Sequence, residues 1–264
     1  YYIHETAAPY GYLLSEDIQF TVTEYGAWTD LQEIEFADAP AKGKLVVRKY
    51  DKDTEESLAG AVFAVFAKED ITTPDGTIHY AEGQYVETFT VGENGTGETG
   101  ELYLGNYYVQ EIQAPEGYCL DDTHYEFELN YADDKTPVVY AYYDAYNLPT
   151  TLRISKTDTE GQTLAGVTFD ITRIADYPQN TAASANTADS AQASAQNAGT
   201  GTFVTDENGL IVEKYLVSGI YEIRETSTLP GYILDETIRY FTVDENGFVF
   251  ASDEKGLNLN ADGR

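Results

Sequence analysis

The 264 residues carry 46 acidic against 15 basic side chains, a net charge of −31 that excludes the basic patches needed to hold nucleic acid or an anionic membrane surface. A single cysteine, Cys119, excludes an internal disulfide and is expected to fill core space. No run of about 18 apolar residues offers a membrane span, and 23 tyrosines, many alternating with small or polar residues, favour pleated sheets over helices.

Residues 1–42 read as the second half of a module whose opening strand is missing, so the sequence is expected to be part of a longer chain. They begin YYIHETAAPYGYLLSED, continue through IQFTV, and end in LQEIEFADAP, where Ile34, Phe36 and Asp38 share a face by strand alternation. Pro40 and Lys42-Gly43 punctuate a boundary. Residues 43–149 form a complete module. Its first strand places Leu45, Val47 and Lys49 on one face, LAGAVFAVF supplies a second strand, and PDG and GENGTGETG supply turns. YYVQEIQAPEGYCLDD follows, then YEFEL and the long run VVYAYYDAYNLP, in which Val139, Ala141, Tyr143, Ala145 and Asn147 share a face. Residues 150–264 restart the pattern with Leu152, Ile154 and Lys156 on one face and a second LAG. The stretch 178–201, rich in Ala, Ser, Asn and Gln, reads as a disordered insertion. In FVTDENGLIVEKYL the DENG sequence predicts a hairpin, and the module closes with YEIRETSTLPGYILDE, RYFTV, GFVFAS and GLNLN.

One segment organises the whole. A run Tyr-x-Val/Ile-x-Glu, then Pro and Gly-Tyr, occurs three times, with Glu5, Glu111 and Glu225 each six residues before Gly11, Gly117 and Gly231. The copies recur at intervals of roughly 110 residues, the length of a domain and too long for a solenoid unit. In a strand the glutamate shares its face with apolar neighbours such as Tyr107 and Val109, so a core-facing row buries a carboxyl group, which is expensive without a partner or a task. Each complete module therefore offers a lysine in its first strand (Lys49, Lys156), this glutamate (Glu111, Glu225) and a carboxamide at the end of its last strand (Asn147, and Asn258 or Asn260). Asn258 follows Glu225 by the interval that separates Glu5 from Asp38, which favours it over Asn260.

The residues K-x-D with L-A-G-A-V-F, E-I-Q-A-P-E-G-Y and the closing N-L-P resemble the B-type, prealbumin-like repeat domains of collagen adhesins and pilins from Gram-positive surface proteins, over nearly the whole chain. The resemblance implies an all-β chain of tandem prealbumin-like (immunoglobulin-like) β-sandwich modules. It implies a stalk or spacer at the extracellular, cell-wall-anchored surface, with no cofactor and no turnover catalysis. It also implies that Lys49 and Asn147 join in an intramolecular isopeptide bond assisted by Glu111, that Lys156 and Asn258 do so assisted by Glu225, and that Glu5 and Asp38 lack their lysine. The chemistry suits these residue types. Burial disfavours charge, so a buried amine and a buried carboxyl can meet as neutral base and neutral acid, and a neutral amine is a nucleophile. Partners would be other modules of the same surface protein. An alternative is an adhesin module recognising a host matrix protein or glycan through its loops.

Other candidates are weaker. Asp51, Asp53 and Glu55 alternate like a calcium loop but lack its glycine and closing glutamate, so a solvated turn is expected. His4, His79 and His124 show no metal-ligand spacing, and no metal site is expected. ADYPQN at 175–180 resembles the pilin segment whose lysine accepts a linkage between subunits, with Gln179 in the lysine's place. No pair of opposed carboxylates marks a carbohydrate-processing cleft.

Overall fold

The computed structural model describes residues 1–21, 34–178 and 199–259, and contains only strands, turns and loops there, as the tyrosine-rich alternation predicts. The strands up to the middle of the chain are β1 (Tyr2–Ile3), β2 (Ile18–Gln19), β3 (Lys42–Asp51), β4 (Val62–Ala67), β5 (Ile71–Thr72), β6 (Ile78–Tyr80), β7 (Tyr85–Thr90), β8 (Thr96–Glu98), β9 (Leu102–Tyr103), β10 (Gly105–Gln113), β11 (His124–Leu129) and β12 (Val138–Asn147). Those that follow are β13 (Thr151–Ser155), β14 (Thr168–Ala175), β15 (Gly201–Val204), β16 (Leu210–Lys214), β17 (Gly219–Ser227), β18 (Arg239–Val243) and β19 (Val249–Ser252).

In the first repeat one sheet runs β11-β10-β4-β7 and the other β12-β3-β8, with β9 also beside β3; β5 and β6 make a separate hairpin. The inward rows interdigitate so closely that a Cβ at two glycine positions would require the facing side chain to shift. A Cβ on Gly43 of β3 would lie 2.9 Å from Leu129 of β11, and one on Gly97 of β8 would lie 2.9 Å from Phe89 of β7. Each pair spans the two sheets, so this is a sandwich with Leu45, Val47, Phe63, Val65, Tyr107 and Val109 fully inside. In the second repeat β13 pairs with β16, and a five-stranded sheet runs β15-β14-β17-β18-β19. Leu152 of the small sheet packs with Ile171, Tyr221, Phe241 and Val243 of the large one.

The chain clusters into two compact units whose limits differ from those of the repeats. The first comprises Tyr1–Arg48, Val62–Glu111 and Asp122–Ala145; the second comprises Lys49–Ala61, Ile112–Asp121 and Tyr146–Arg264. The second unit therefore includes the Gly117-Tyr118 segment of the first repeat together with the second repeat.

Three local expectations need correction. The DENG turn at 206–209 forms, with the Asp206 carboxylate accepting from the N–H groups of Asn208 and Leu210. It joins no hairpin, because β15 pairs with β14 whereas β16 pairs with β13, so the turn carries the chain from one sheet to the other. Residues 34–38 are not a strand, and Phe36 is exposed. The first copy of the Tyr-x-Ile-x-Glu run contributes only Tyr2–Ile3, paired with β2, so Tyr1 and Tyr2 stay exposed where Tyr107 and Tyr221 are buried. Of the stretch 178–201, residues 179–198 lie outside the described residues, Gln179 among them, and Gly201 already opens β15.

Tyr107 and Tyr221 hold equivalent places at the head of the glutamate row. Each phenol donates to a carbonyl four residues back, Tyr107 to Tyr103 at 2.7 Å and Tyr221 to Val217 at 2.8 Å. Tyr221→Phe keeps the ring stacked on Phe241 and removes the hydroxyl, with its bond to Val217 and its contact with Arg173. It is expected to lower the unfolding free energy by about 1–2 kcal/mol, read as an earlier urea midpoint with an unchanged slope.

Candidate functional site

Strand alternation in β3 sends Leu45, Val47 and then Lys49 inward, and Lys49 is only 1% exposed. In β10 it does the same for Tyr107, Val109 and Glu111, which is 2% exposed. In β12 burial deepens toward the strand's end, where Ala145 and Asn147 are both inside, Asn147 at 1%. β3 and β12 are neighbours in one sheet. Within the second unit their ends are tied together, since the Lys52 N–H donates to the Asn147 carbonyl at 2.9 Å, and the Lys49 carbonyl is held by the Leu58 N–H of the following loop at 2.9 Å. The Asn147 side-chain amide is oriented by a 2.8 Å hydrogen bond from Nδ2 to the Cys119 carbonyl. Two strand ends are thereby pinned with their long polar side chains out of water.

In the second repeat Lys156 lies one residue beyond β13, and its Nζ meets Glu225 Oε2 at 2.7 Å. The glutamate side chain is 2% exposed and the lysine 21%. Glu225 Oε1 is buried and has no hydrogen-bond partner among the described residues, so the carboxyl group has capacity for one more contact. Asn258 bridges to Ser252 and is exposed, unlike its counterpart Asn147; Asn260 lies outside the described residues. The DEKG turn before Asn258 accounts for the difference. Asp253 caps it by accepting from the N–H groups of Lys255 and Leu257, which ends the strand alternation that would carry an inward face on to Asn258.

Glu5 and Asp38, from opposite ends of the partial module, come together. The backbone N–H of Ser15 donates to Glu5 Oε2 at 2.8 Å and its hydroxyl donates at 3.0 Å. The Ser15 backbone bond, above all, holds the Glu5 carboxyl below the ordinary glutamate range. Asp38 is pushed up, first by partial loss of water and then by the adjacent Glu5 charge, with which it shares a hydrogen bond.

One polar centre escaped the sequence reading. Asp51, expected in a solvated turn, is buried at 2% exposure. Its Oδ1 accepts from the N–H groups of Asp53 (2.6 Å) and Thr54 (3.1 Å), and its Oδ2 from the phenols of Tyr118 (2.9 Å) and Tyr215 (3.1 Å). Burial pushes the Asp51 carboxyl up, but these four donors together hold it below the ordinary range. Beside it Lys214 Nζ pairs with Asp53 Oδ2 at 2.5 Å. The recurring Lys-x-Asp and Gly-Tyr pairs were the available signal, since Tyr232 likewise donates to Asp158 in the second repeat. Burial pushes the Cys119 thiol up, and Sγ lies 3.4 Å from the Gly247 carbonyl, consistent with the space-filling role expected of it. No cluster of three or more metal-ligating side chains occurs among the described residues.

A sequence model of the SpaA prealbumin-like fold domain matches residues 43–143 and again residues 150–255. A collagen adhesin of Staphylococcus aureus is 28% identical over 239 residues, covering 85% of this chain but only 18% of that protein's length. Among solved structures, the Bacillus anthracis TIE protein is 26% identical with a TM-score of 0.41, over 80% of this chain and 33% of that one. The shaft pilin SpaA of Lactobacillus rhamnosus GG is 17% identical with a TM-score of 0.35, over 78% of this chain and 94% of that one.

The carboxyl pair of the partial module gives a pH prediction. Asp38 is raised in the fold, so its contribution to stability is present below the ordinary aspartate pKa and is lost as pH rises through the raised value. NMR titration is expected to show Asp38 protonating at higher pH than Glu5. Glu5→Gln should move Asp38 part of the way down, because the charge is removed while the partial desolvation remains.

Proposed function

Because the chain belongs to the SpaA prealbumin-like fold domain family, we propose that it is a force-carrying spacer in a Gram-positive cell-surface adhesin or pilin-like protein, its modules closed by autocatalytic Lys–Asn isopeptide bonds. The observation that supports this most is the burial of Lys49 and Asn147 at the ends of neighbouring strands, with Glu111 buried at the same step of its own row. An exposed lysine and asparagine would be solvated and inert. Here each is withdrawn from water in a module that has no disulfide to close it.

In the proposed reaction the neutral Lys49 amine attacks Asn147 Cγ. Glu111, in its acid form, donates a hydrogen bond to Asn147 Oδ1 and steadies the negative charge that develops there. It then relays the amine's surplus proton to the departing nitrogen. One C–N bond forms, one breaks, and ammonia leaves. Holding the reactants together supplies the effective molarity that an amide exchange in water lacks. The reaction occurs once per molecule. We assign Lys156, Glu225 and Asn258 the same parts in the second repeat, where the lysine and glutamate already touch.

The bond's position matters more than its strength. Lys49 and Asn147 stand near the first and last residues of their module, so tension along the chain passes through the new amide and bypasses the sheets. The link also closes a loop of about 100 residues in the unfolded state, worth about 4–5 kcal/mol on the chain-entropy account. A spacer made this way needs no binding surface of its own; its partners are the modules on either side.

Two measurements test this. Glu111→Gln keeps the shape of the side chain and removes the acid, so bond formation should slow by about 10²–10⁴-fold in a folded protein, followed by mobility on denaturing gels. Full crosslinking of that variant at the parent's rate would give Glu111 another role. Under single-molecule tension the parent's first repeat should show no unfolding step. Lys49→Ala should release on the order of 300 Å.

A further inference from the structure

The Gly-Tyr segment that follows each glutamate has one backbone form in all three copies. The tyrosine N–H closes a turn onto a carbonyl three residues back: Tyr12 onto Pro9, Tyr118 onto Pro115 and Tyr232 onto Leu229. The glycines share a left-handed φ of +87°, +84° and +92°, at Gly11, Gly117 and Gly231. Two copies go on to make one further set of contacts. In the first unit the Gly11 carbonyl accepts from Ala41, Leu13 N–H donates to Ala39, and Leu14 N–H donates to the Asp134 carbonyl, each at 2.9 Å. In the second unit the Gly117 carbonyl accepts from Thr150, Cys119 N–H donates to Leu148, and Leu120 N–H donates to the Asn246 carbonyl. Within the segment the bonding positions are the same, the glycine and the second and third residues after it, and Asp134 and Asn246 both belong to the repeat that follows the segment. That repeat also covers the glycine. A Cβ on Gly11 would lie 2.8 Å from Pro74, and one on Gly117 would lie 3.1 Å from the Tyr215 carbonyl.

The third copy lacks this cover among the described residues. No described residue lies within 4 Å of a Cβ on Gly231, Ile233 is 94% exposed, and Leu234 N–H donates no hydrogen bond to a described residue. Tyr232 donates to Asp158 Oδ2 at 3.3 Å, as Tyr118 does to Asp51, but the second phenol that Tyr215 adds at Asp51 has no counterpart at Asp158 among the described residues. We propose that Gly231–Leu234 is a docking surface for one further repeat of this kind. The incoming repeat would present the face that the two repeats here already turn to Gly11–Leu14 and Gly117–Leu120. It would supply a carbonyl for Leu234 N–H, apolar cover for Ile233, and a hydroxyl for Asp158. A second copy of this chain is a poor occupant, because both of its repeats already have that face covered. The segment is pre-shaped, so docking requires little reordering of the backbone. This joint stands whether or not an isopeptide bond forms.

The test extends the whole chain with a second copy of residues 150–264 placed after residue 260, and reads amide hydrogen exchange residue by residue. Leu234 should exchange at least 10-fold more slowly than in the parent, approaching Leu120. Ile233→Asp in the extended protein should restore the parent rate at Leu234 while the Tyr221 amide stays protected. A second extension carrying residues 43–149 offers the same face and serves if the first copy does not fold. Unchanged exchange at Leu234 beside an appended repeat whose own core amides are protected would overturn the proposal.

Discussion

A lysine at the end of an apolar strand row is the constraint around which the repeats are arranged. β3 delivers Leu45, Val47 and Lys49 to one side, and the strand's alternation cannot bury the first two while leaving the third in water unless the strand twists away. It does not, and Lys49 is as buried as its neighbours. An isolated ammonium there would be several kcal/mol unfavourable. The same alternation buries a carboxyl in β10 and a carboxamide in β12, Glu111 and Asn147. The proposed reaction removes the problem by turning a buried amine into part of a neutral amide.

The large acidic excess has a structural use beyond keeping the protein soluble. Asp158, Asp206, Asp244 and Asp253 each accept two backbone N–H groups, two and four residues on, and so fold tight loops without helices. Asp51 goes further, because its second oxygen takes two phenols from distant parts of the chain. That carboxylate lies two residues past Lys49, so the strand end that would carry the bond is also the one held by Tyr118 and Tyr215. The compact units reflect this, as each gathers a Gly-Tyr segment together with the repeat that covers it.

Much of this was legible in the residues. Alternation alone identified the buried rows ending in Lys49, Glu111, Asn147 and Glu225, because a strand's period is fixed and the three Tyr-x-Val/Ile-x-Glu runs set the register. The Asp51 cluster was legible only in part: the recurring Lys-x-Asp and Gly-Tyr pairs point to the Tyr118 contact, but Tyr215 lies 164 residues away and no local pattern announces that it will meet the same carboxylate. The DENG turn shows a different limit. Asp206 and Gly209 specify a turn, but which sheet the next strand joins depends on the packing of β13 and β14, which the turn residues do not encode. Asn258 was preferred to Asn260 by its interval from Glu225, while the DEKG turn in the sequence already signalled a break in the face count, and the Asp253 cap makes that break.

The central claim is covalent, so the most direct measurement is the intact mass of the denatured protein, with fragmentation to locate any link. The account predicts a mass short by one ammonia for the first repeat, with a branched peptide joining Lys49 to Asn147, and short by a second ammonia for Lys156 and Asn258. A protein of full sequence mass that yields unmodified Lys49 and Asn147 peptides would contradict it.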